Sequence, residues 1–350
     1  MAAGPRRPAL SRTRLDLRVV VLGAGSVGCF IGGCWKVAGL DVRLIGRERL
    51  QADVEQHGLA LSDYSGWQAG LLPGQVYYRT EPDALADADI IALCVKSGAT
   101  ADAARLIAAR GKPGAAVISF QNGISNVDVL ARELGDRFAV VRGMVPYNVA
   151  YLGKGHFHKG VAGDLCADDG DDRVRMLARE IGHSPAQLQL ADDMLGLAWG
   201  KLLINLNNAV NALSGRTLLD QLRQRDYRRV VAASQREGLA LLDRAGIVPA
   251  ASGGIKPHAL PKLIDTPNLL FNNVFLKKWK VDAKARSSMA DDLAQGRTTE
   301  VDYINGELVA LAERLGTDAP VNRKIVALIR AAEAGAQPWE PAALRHAVLG

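Results

Sequence analysis

A six-residue turn constrains this chain more than any other feature. The β-branched run Leu17 to Leu22 leads directly into Gly23-Ala24-Gly25-Ser26-Val27-Gly28, and a helix-forming stretch continues to about Ala38. Gly-x-Gly-x-x-Gly carries little weight alone, but a preceding strand, a following helix and a place early in an α/β repeat make it specific for a dinucleotide. Gly23 permits the tight turn, Gly25 lets backbone approach a pyrophosphate, and Gly28 lets the helix pack closely on the strand. Ser26 and Val27 open the helix, whose free N–H groups and positive dipole end favour an anion. A plain strand-turn-helix packing motif would use the same glycines without a ligand.

Beyond this turn the chain has the rhythm of an α/β domain. Further strands are expected at Asp41 to Ile45, Asp89 to Val95, Ala115 to Phe120 and Phe138 to Arg142, with helices at Thr100 to Arg110 and Ser125 to Leu134 between them. Such alternation predicts a parallel sheet covered on both faces. Residues 151–190 are less regular, with a hairpin-like patch around Gly153 to Leu165 and a helix near Arg173 to Ile181. Beyond Asp192 a 3.6-residue period dominates, predicting helices over Asp192 to Leu213, Tyr227 to Ala245, Asn272 to Ser288, Thr298 to Leu315 and Val321 to Ala334. The expected organisation is a basic tail over residues 1–17, a Rossmann-type domain over 18–190 and an all-helical domain over 191–350.

Composition narrows the function classes. The formal charge is +6, but residues 1–18 hold Arg6, Arg7, Arg12, Arg14 and Arg18 against Asp16 alone, which accounts for +4. The remaining chain is nearly neutral, so no nucleic-acid face is expected. The Ala/Pro/Arg/Ser tail reads as disordered and lacks a secretory apolar stretch; an organelle-targeting peptide and an over-extended start both fit it. The longest uncharged run, Val19 to Trp35, is short for a membrane span and too rich in glycine. Cys29, Cys34, Cys94 and Cys166 include no Cys-x-x-Cys pair and fit reduced residues of a cytoplasmic protein. The histidines show no metal-ligand spacing, and no metal is expected.

Cofactor flavour is read at the end of the second strand, where an NAD-selective domain usually places Asp or Glu on the ribose 2′-OH. Here the residues are Leu44-Ile45-Gly46-Arg47, and Arg47 offers a planar fork to a 2′-phosphate. This favours NADPH; a surface arginine in a variable loop is the alternative. Lys96 and Gln121-Asn122-Gly123 follow two further strands, at the edge where such sheets bind ligands, although solvated loop residues would read the same. On the first helix of the C-terminal part, Lys201, Asn205 and Asn208 form one narrow polar stripe. Either the lysine finds partners in a site, or it snorkels to water. Ser288 and Asp292 share a helix face, and Thr298 or Thr299 is placed to cap a helix with Glu300 in its first turn.

Taken together, these residues resemble the ketopantoate reductase (2-dehydropantoate 2-reductase) family over about residues 18–335. The resemblance rests on the glycine turn, Lys96, Gln121-Asn122-Gly123, Lys201-x-x-x-Asn205, and Ser288 twelve residues before Glu300 in Thr-Glu-Val-Asp-Tyr-Ile-Asn-Gly. It implies a Rossmann domain and a helical domain around a cleft, with NADPH reducing the C2 carbonyl of 2-dehydropantoate to (R)-pantoate. By matching position, Lys201 would be the proton donor and Glu300 its acidic partner. Asn205 and Ser288 would contact substrate, with Asn208 beside them, while Asn122 and Lys96 would lie by the cofactor and the reacting centre. Two positions depart from the family pattern: Ala209 and Ala285 stand where asparagines that face substrate are common. The alternatives are therefore a reductase of another 2-keto acid or a non-catalytic NADP sensor. A small-molecule substrate and a homodimer are the expected partners, with no membrane partner.

If Arg47 pairs with a 2′-phosphate, Arg47→Ala weakens NADPH binding by about 2–3 kcal/mol, the scale of a lost charge-assisted bond, and hardly changes NADH binding. Titration of both cofactors checks this; equal losses would give Arg47 another role.

Overall fold

The computed structural model describes residues 17–251, 254–279 and 281–350. The basic tail expected over 1–17 thus lies outside the described residues except for Leu17, which is buried and belongs to the fold.

Among the described residues, twelve strands form two sheets. They are β1 (Arg18–Leu22), β2 (Asp41–Ile45), β3 (Leu59–Asp63), β4 (Gln68–Leu71), β5 (Tyr77–Arg79), β6 (Ile90–Leu93), β7 (Ala116–Ser119), β8 (Ala139–Met144), β9 (Val149–Tyr151), β10 (His156–Lys159), β11 (Leu165–Asp168) and β12 (Leu188–Ala191). The main sheet has the order β12-β11-β8-β7-β6-β1-β2-β5. From β8 to β5 every pairing is parallel, and a parallel β11–β12 pair joins antiparallel to β8. The order β5-β2-β1-β6-β7-β8 is that of a doubly wound nucleotide-binding sheet. Its loops after β1, β2, β6 and β7 all emerge on one edge, which brings together residues far apart in sequence.

The second sheet, β4-β3-β10-β9, is a unit that local sequence patterns do not announce. The hairpin-like patch proves to be β9 and β10 joined through residues 152–155, and Leu165 belongs to the main sheet instead. The helix Ser26–Val37 lies between the two sheets, which explains the uncharged run. A Cβ at Gly32 would come within 2.5 Å of Leu44, and one at Gly33 within 3.0 Å of Leu61. The glycines therefore let one helix seat against both sheets at close range.

After Ala191 every described element is helical. Three boundaries differ from the periodic reading. The first helix divides at Leu206 into Met194–Asn205 and Asn207–Ser214. The helix expected to run to Ser288 is described as far as Trp279 and is over by Val281, and Ser288 starts a separate helix, Ser288–Ala294, capped by the Ser287 hydroxyl accepting from the Ala290 N–H at 3.1 Å. The one expected from Thr298 begins as a 3₁₀ turn, Val301–Tyr303, before the helix Asn305–Arg314. In each case apolar periodicity continues through the break, because hydrophobic spacing does not record where the backbone leaves helical geometry. The helical domain has its own core, with Trp199, Leu203, Leu206, Tyr227, Leu242, Leu308 and Ile325 all buried.

Trp35 ties the wedged helix to the end of the sheet domain. Its indole N–H donates to the Ala186 carbonyl at 2.8 Å, and its ring packs edge-on against Phe120. Trp35→Phe leaves that buried carbonyl unpaired and should cost about 1–3 kcal/mol. Trp35→Ala adds a cavity and should cost about 3–5 kcal/mol in urea unfolding.

Candidate functional site

Parallel strands deliver the site's first half. Ser97 follows β6, Asn122 follows β7, and Gly143 and Met144 end β8, all on the carboxyl edge of the sheet. The second half comes from the helical domain: Ala198, Lys201, Leu202 and Asn205 from the helix Met194–Asn205, and Ile304 beyond the 3₁₀ turn. Gln121, Asn122 and Gly123 complete the lining of this cleft.

At its centre the Lys201 ammonium donates to Asn122 Oδ1 at 2.8 Å, and Asn122 Nδ2 donates to Glu300 Oε2 at 3.0 Å. This network admits one amide orientation, oxygen toward the cation and nitrogen toward the carboxylate. Lys201 and Glu300 share no direct ion pair among the described residues. The expected partnership instead runs through Asn122, a residue expected on the cofactor side. The other Glu300 oxygen accepts from the Ser97 N–H at 3.0 Å and lies 2.9 Å from Ser97 Oγ. Ser97 Oγ is also 2.8 Å from the Asn122 carbonyl, so Ser97 holds both members of the relay. Burial pushes Lys201 down from 10.5 to about 8, with the Glu300 charge acting in the opposite direction. A lysine with that value can release a proton near neutral pH and recover it from solvent.

The other expected substrate-side residues lie in different surroundings. Asn205 lines the cleft one turn from Lys201. Asn208 lies beyond the break at Leu206; its carbonyl accepts from Ser287 Oγ at 3.0 Å. Ser288 is exposed at the first turn of its helix. Ala209 is buried in the helical core, and the Ala285 carbonyl accepts from the Leu218 N–H. Lys96 reaches across to Asp292 at 2.7 Å; that nearly buried carboxylate also pairs with Arg297 at 2.9 Å. Thr299 stands before a 3₁₀ turn rather than a long helix: its hydroxyl accepts from the Val301 N–H at 3.3 Å, and its N–H and hydroxyl donate to Glu333.

The glycine turn fits a dinucleotide. Gly23 adopts φ +93°, and a Cβ there would strike the Val95 nitrogen at 2.5 Å. A Cβ at Gly28 would meet the Gly23 carbonyl at 2.8 Å, whereas at Gly25 it would project into open space, where a phosphate needs close backbone approach. No side chain caps the helix beginning at Ser26, so the first-turn N–H groups of Ser26, Val27 and Gly28 remain available to an anion. Tyr78 Oη steadies this loop by donating to the Ala24 carbonyl at 2.8 Å. Arg47 is exposed beyond β2 and forms no ion pair among the described residues. No cluster of three or more metal-ligating side chains occurs among the described residues.

Ser97 and Glu307 are additions to the expected site, and Asp292, expected only as a helix-face neighbour of Ser288, holds Lys96. Ser97 adjoins Lys96 at a strand end, a signal present in the sequence. Glu307 accepts from residues more than 180 positions away, and nothing local in the sequence marks it.

Comparison with known proteins bears on this arrangement. Residues 19–168 match the family described as ketopantoate reductase PanE/ApbA, and residues 193–333 match its C-terminal counterpart. A 2-dehydropantoate 2-reductase of Archaeoglobus fulgidus is 27% identical over 323 residues, covering 91% of this chain and 98% of that protein. The crystal structure of a PanE/ApbA family ketopantoate reductase from Ralstonia eutropha JMP134 superposes with a TM-score of 0.75 at 27% identity, covering 91% of this chain and 99% of the other. A D-mandelate dehydrogenase, solved with NADH and anilino(oxo)acetate, shares the fold at TM-score 0.73 and 18% identity, with coverages of 91% and 99%.

In ¹³C-lysine NMR, with Lys201→Arg used for assignment, Lys201 should titrate near 8, against 10.5 for an ordinary lysine. Glu300→Gln removes the opposing charge and should lower the midpoint further. Between those two pH values the unfolded chain binds more protons at this site, so its contribution to stability rises with pH. Titration of Lys201 with the exposed lysines would remove the basis for an acid role.

Proposed function

The chain belongs to the ketopantoate reductase family of oxidoreductases, and we propose that it carries out NADPH-dependent reduction of 2-dehydropantoate at C2, giving (R)-pantoate. The observation that carries this reading is the Lys201–Asn122–Glu300 relay at the cleft, at the edge where the glycine turn also opens. We assign residues 18–190 to the cofactor and 191–350 to the substrate. The glycine turn would hold the pyrophosphate, Arg47 the 2′-phosphate, and Lys96 and Asn122 the cofactor side of the cleft.

A bound nicotinamide would supply the hydride. The protein's own task is to stabilise and protonate the carbonyl oxygen, on which negative charge grows. Lys201 is positioned to donate that proton from the cleft wall. Asn122 accepts a hydrogen bond that favours the charged form of Lys201, and Glu300 adds an opposite charge without touching the ammonium. Because the carboxylate stays one amide away, it does not compete with substrate for the lysine. Asn205 would orient the substrate, with Asn208 and Ser288 along the same side. The surrounding Met144, Leu202 and Ile304 exclude water and strengthen these interactions.

A second reading is supported by Ala209 and Ala285, which stand where the family resemblance expects substrate-facing asparagines, and by the use of the same fold by a mandelate dehydrogenase. It keeps the hydride chemistry and replaces 2-dehydropantoate with a 2-keto acid bearing a more apolar substituent. A reducing compartment such as the cytoplasm suits the four unpaired cysteines. Exposed Leu269, Leu270 and Val274 offer area for a homodimer, testable by light scattering.

NADPH oxidation against a panel of 2-keto acids decides between the readings: 2-dehydropantoate leads under the first and an apolar analogue under the second. Turnover of none, with NADP bound tightly, would favour a sensor. Lys201→Ala should stay folded, retain NADPH binding and lose about 10²–10⁴-fold in turnover. Near-normal turnover by that folded variant would end the acid assignment.

A further inference from the structure

We propose that Glu307 is a positioning residue for the Lys201–Asn122 pair, a role that rests on the acid function assigned to Lys201 above. Glu307 projects from the helix Asn305–Arg314 and is only 3% exposed. Its Oε1 accepts from the Ile124 N–H at 3.1 Å, the Ser125 N–H at 2.8 Å and the Ser125 hydroxyl at 2.6 Å. These donors stand at the start of the helix Asn126–Leu134, which has no side-chain cap of its own. A carboxylate from the helical domain thus serves as the missing cap of a helix in the sheet domain. A carboxylate this buried requires its donors, and the donors require it.

The consequence reaches the reacting centre through the loop 121–125. Asn122 lies two residues before Ile124, and the rest of the loop is tightly held. The Ile124 carbonyl accepts from Arg142 at 2.9 Å, and the Asn122 carbonyl accepts from Asn126 Nδ2 at 2.5 Å. Gly123 adopts φ +92° against Tyr303, whose carbonyl would lie 2.8 Å from any Cβ placed there. The Ile124 side chain packs into the helical core, a contact that holds the loop near that domain without orienting its amides. From the loop 121–125, the orienting hydrogen bonds to the helical domain are those to Glu307 and those of the Asn122 side chain to Lys201 and Glu300, while Ser97 reaches the same Glu300 from the neighbouring loop. Glu307 therefore fixes the end of the loop from which the Asn122 amide is presented. Releasing it lets Oδ1 drift from the Lys201 ammonium, and the charged form of Lys201 loses a hydrogen bond.

The charged and titratable groups around this junction are Glu300, facing Lys201; Arg142, on the Ile124 carbonyl; Tyr303, beside both glutamates; and Asp302, paired with Arg330. Losing the Glu307 charge would also disfavour the Lys201 ammonium through space, so charge and position are separated by two variants. Glu307→Gln removes the charge but keeps a carbonyl acceptor for the three donors, whereas Glu307→Ala removes both.

The experiment measures the Lys201 NMR titration without substrate, together with kcat, KM for NADPH and melting temperature. Glu307→Ala should lower the Lys201 midpoint by roughly half to one pH unit, a fraction of one charge-assisted hydrogen bond. Its kcat should fall about 10- to 100-fold, as expected for a small misplacement of an acid, with KM for NADPH unchanged. Glu307→Gln should restore most of both. Equal shifts in the two variants would make the effect one of charge alone, and no shift in either would remove it; both overturn the proposal. Ser125→Ala removes the nearest donor without leaving the carboxylate unpaired and should move the midpoint the same way by less. No movement in that variant overturns the proposal even if Glu307→Ala fails to fold. If wild type reduces no keto acid while these midpoint shifts occur, the acid assignment fails and the positioning stands.

Discussion

The side-chain amide of Asn122 is held between an ammonium and a carboxylate that both come from the helical domain, while Asn122 itself stands on a loop of the sheet. Much of the cleft depends on that insertion. It separates Lys201 from Glu300, so the lysine feels a negative charge without being neutralised by a contact pair. It also requires the two domains to meet in one relative position, since neither supplies the whole relay. The low dielectric that makes such an arrangement effective would be costly if any member lost its partner.

Acidic side chains do most of this joining. Asp292 takes Lys96, Glu300 takes Ser97 and Asn122, and Glu307 takes Ile124 and Ser125. All three carboxylates lie on the helical domain, and each receives a loop following β6 or β7. A doubly wound sheet leaves just these loops on one edge, with backbone N–H groups to satisfy. The contacts that orient the Lys201–Asn122–Glu300 relay are thus also the contacts that cap and hold loops, which links the integrity of the domain interface to the geometry of that relay.

The sheet domain meets a different demand. Its first helix must pack against two sheets at once and still present an uncapped end at the glycine turn. Glycines at 28, 32 and 33 meet the packing demand, and Gly25 leaves space beyond the turn. The same short segment therefore records both the core and the ligand edge, which is why it is so informative in isolation.

The sequence alone determined the doubly wound domain and the helical part after Ala191, because these are written in local patterns of alternation, glycine spacing and helical period; it singled out Lys201 and Asn205 as polar residues on an apolar helix, and Asn122 and Glu300 through the family resemblance. The breaks at Leu206, before Val281 and at the Val301–Tyr303 turn were not legible, since hydrophobic period persists where backbone geometry does not. The second sheet was equally hidden, because β3 and β10 pair across almost a hundred residues. Tertiary structure alone decided that Asn122 stands between Lys201 and Glu300, that Asp292 receives Lys96, and that Glu307 caps a helix in the other domain. A hydrogen bond of about 3 Å depends on the relative placement of two separately folded cores, and no pattern within either segment specifies that distance.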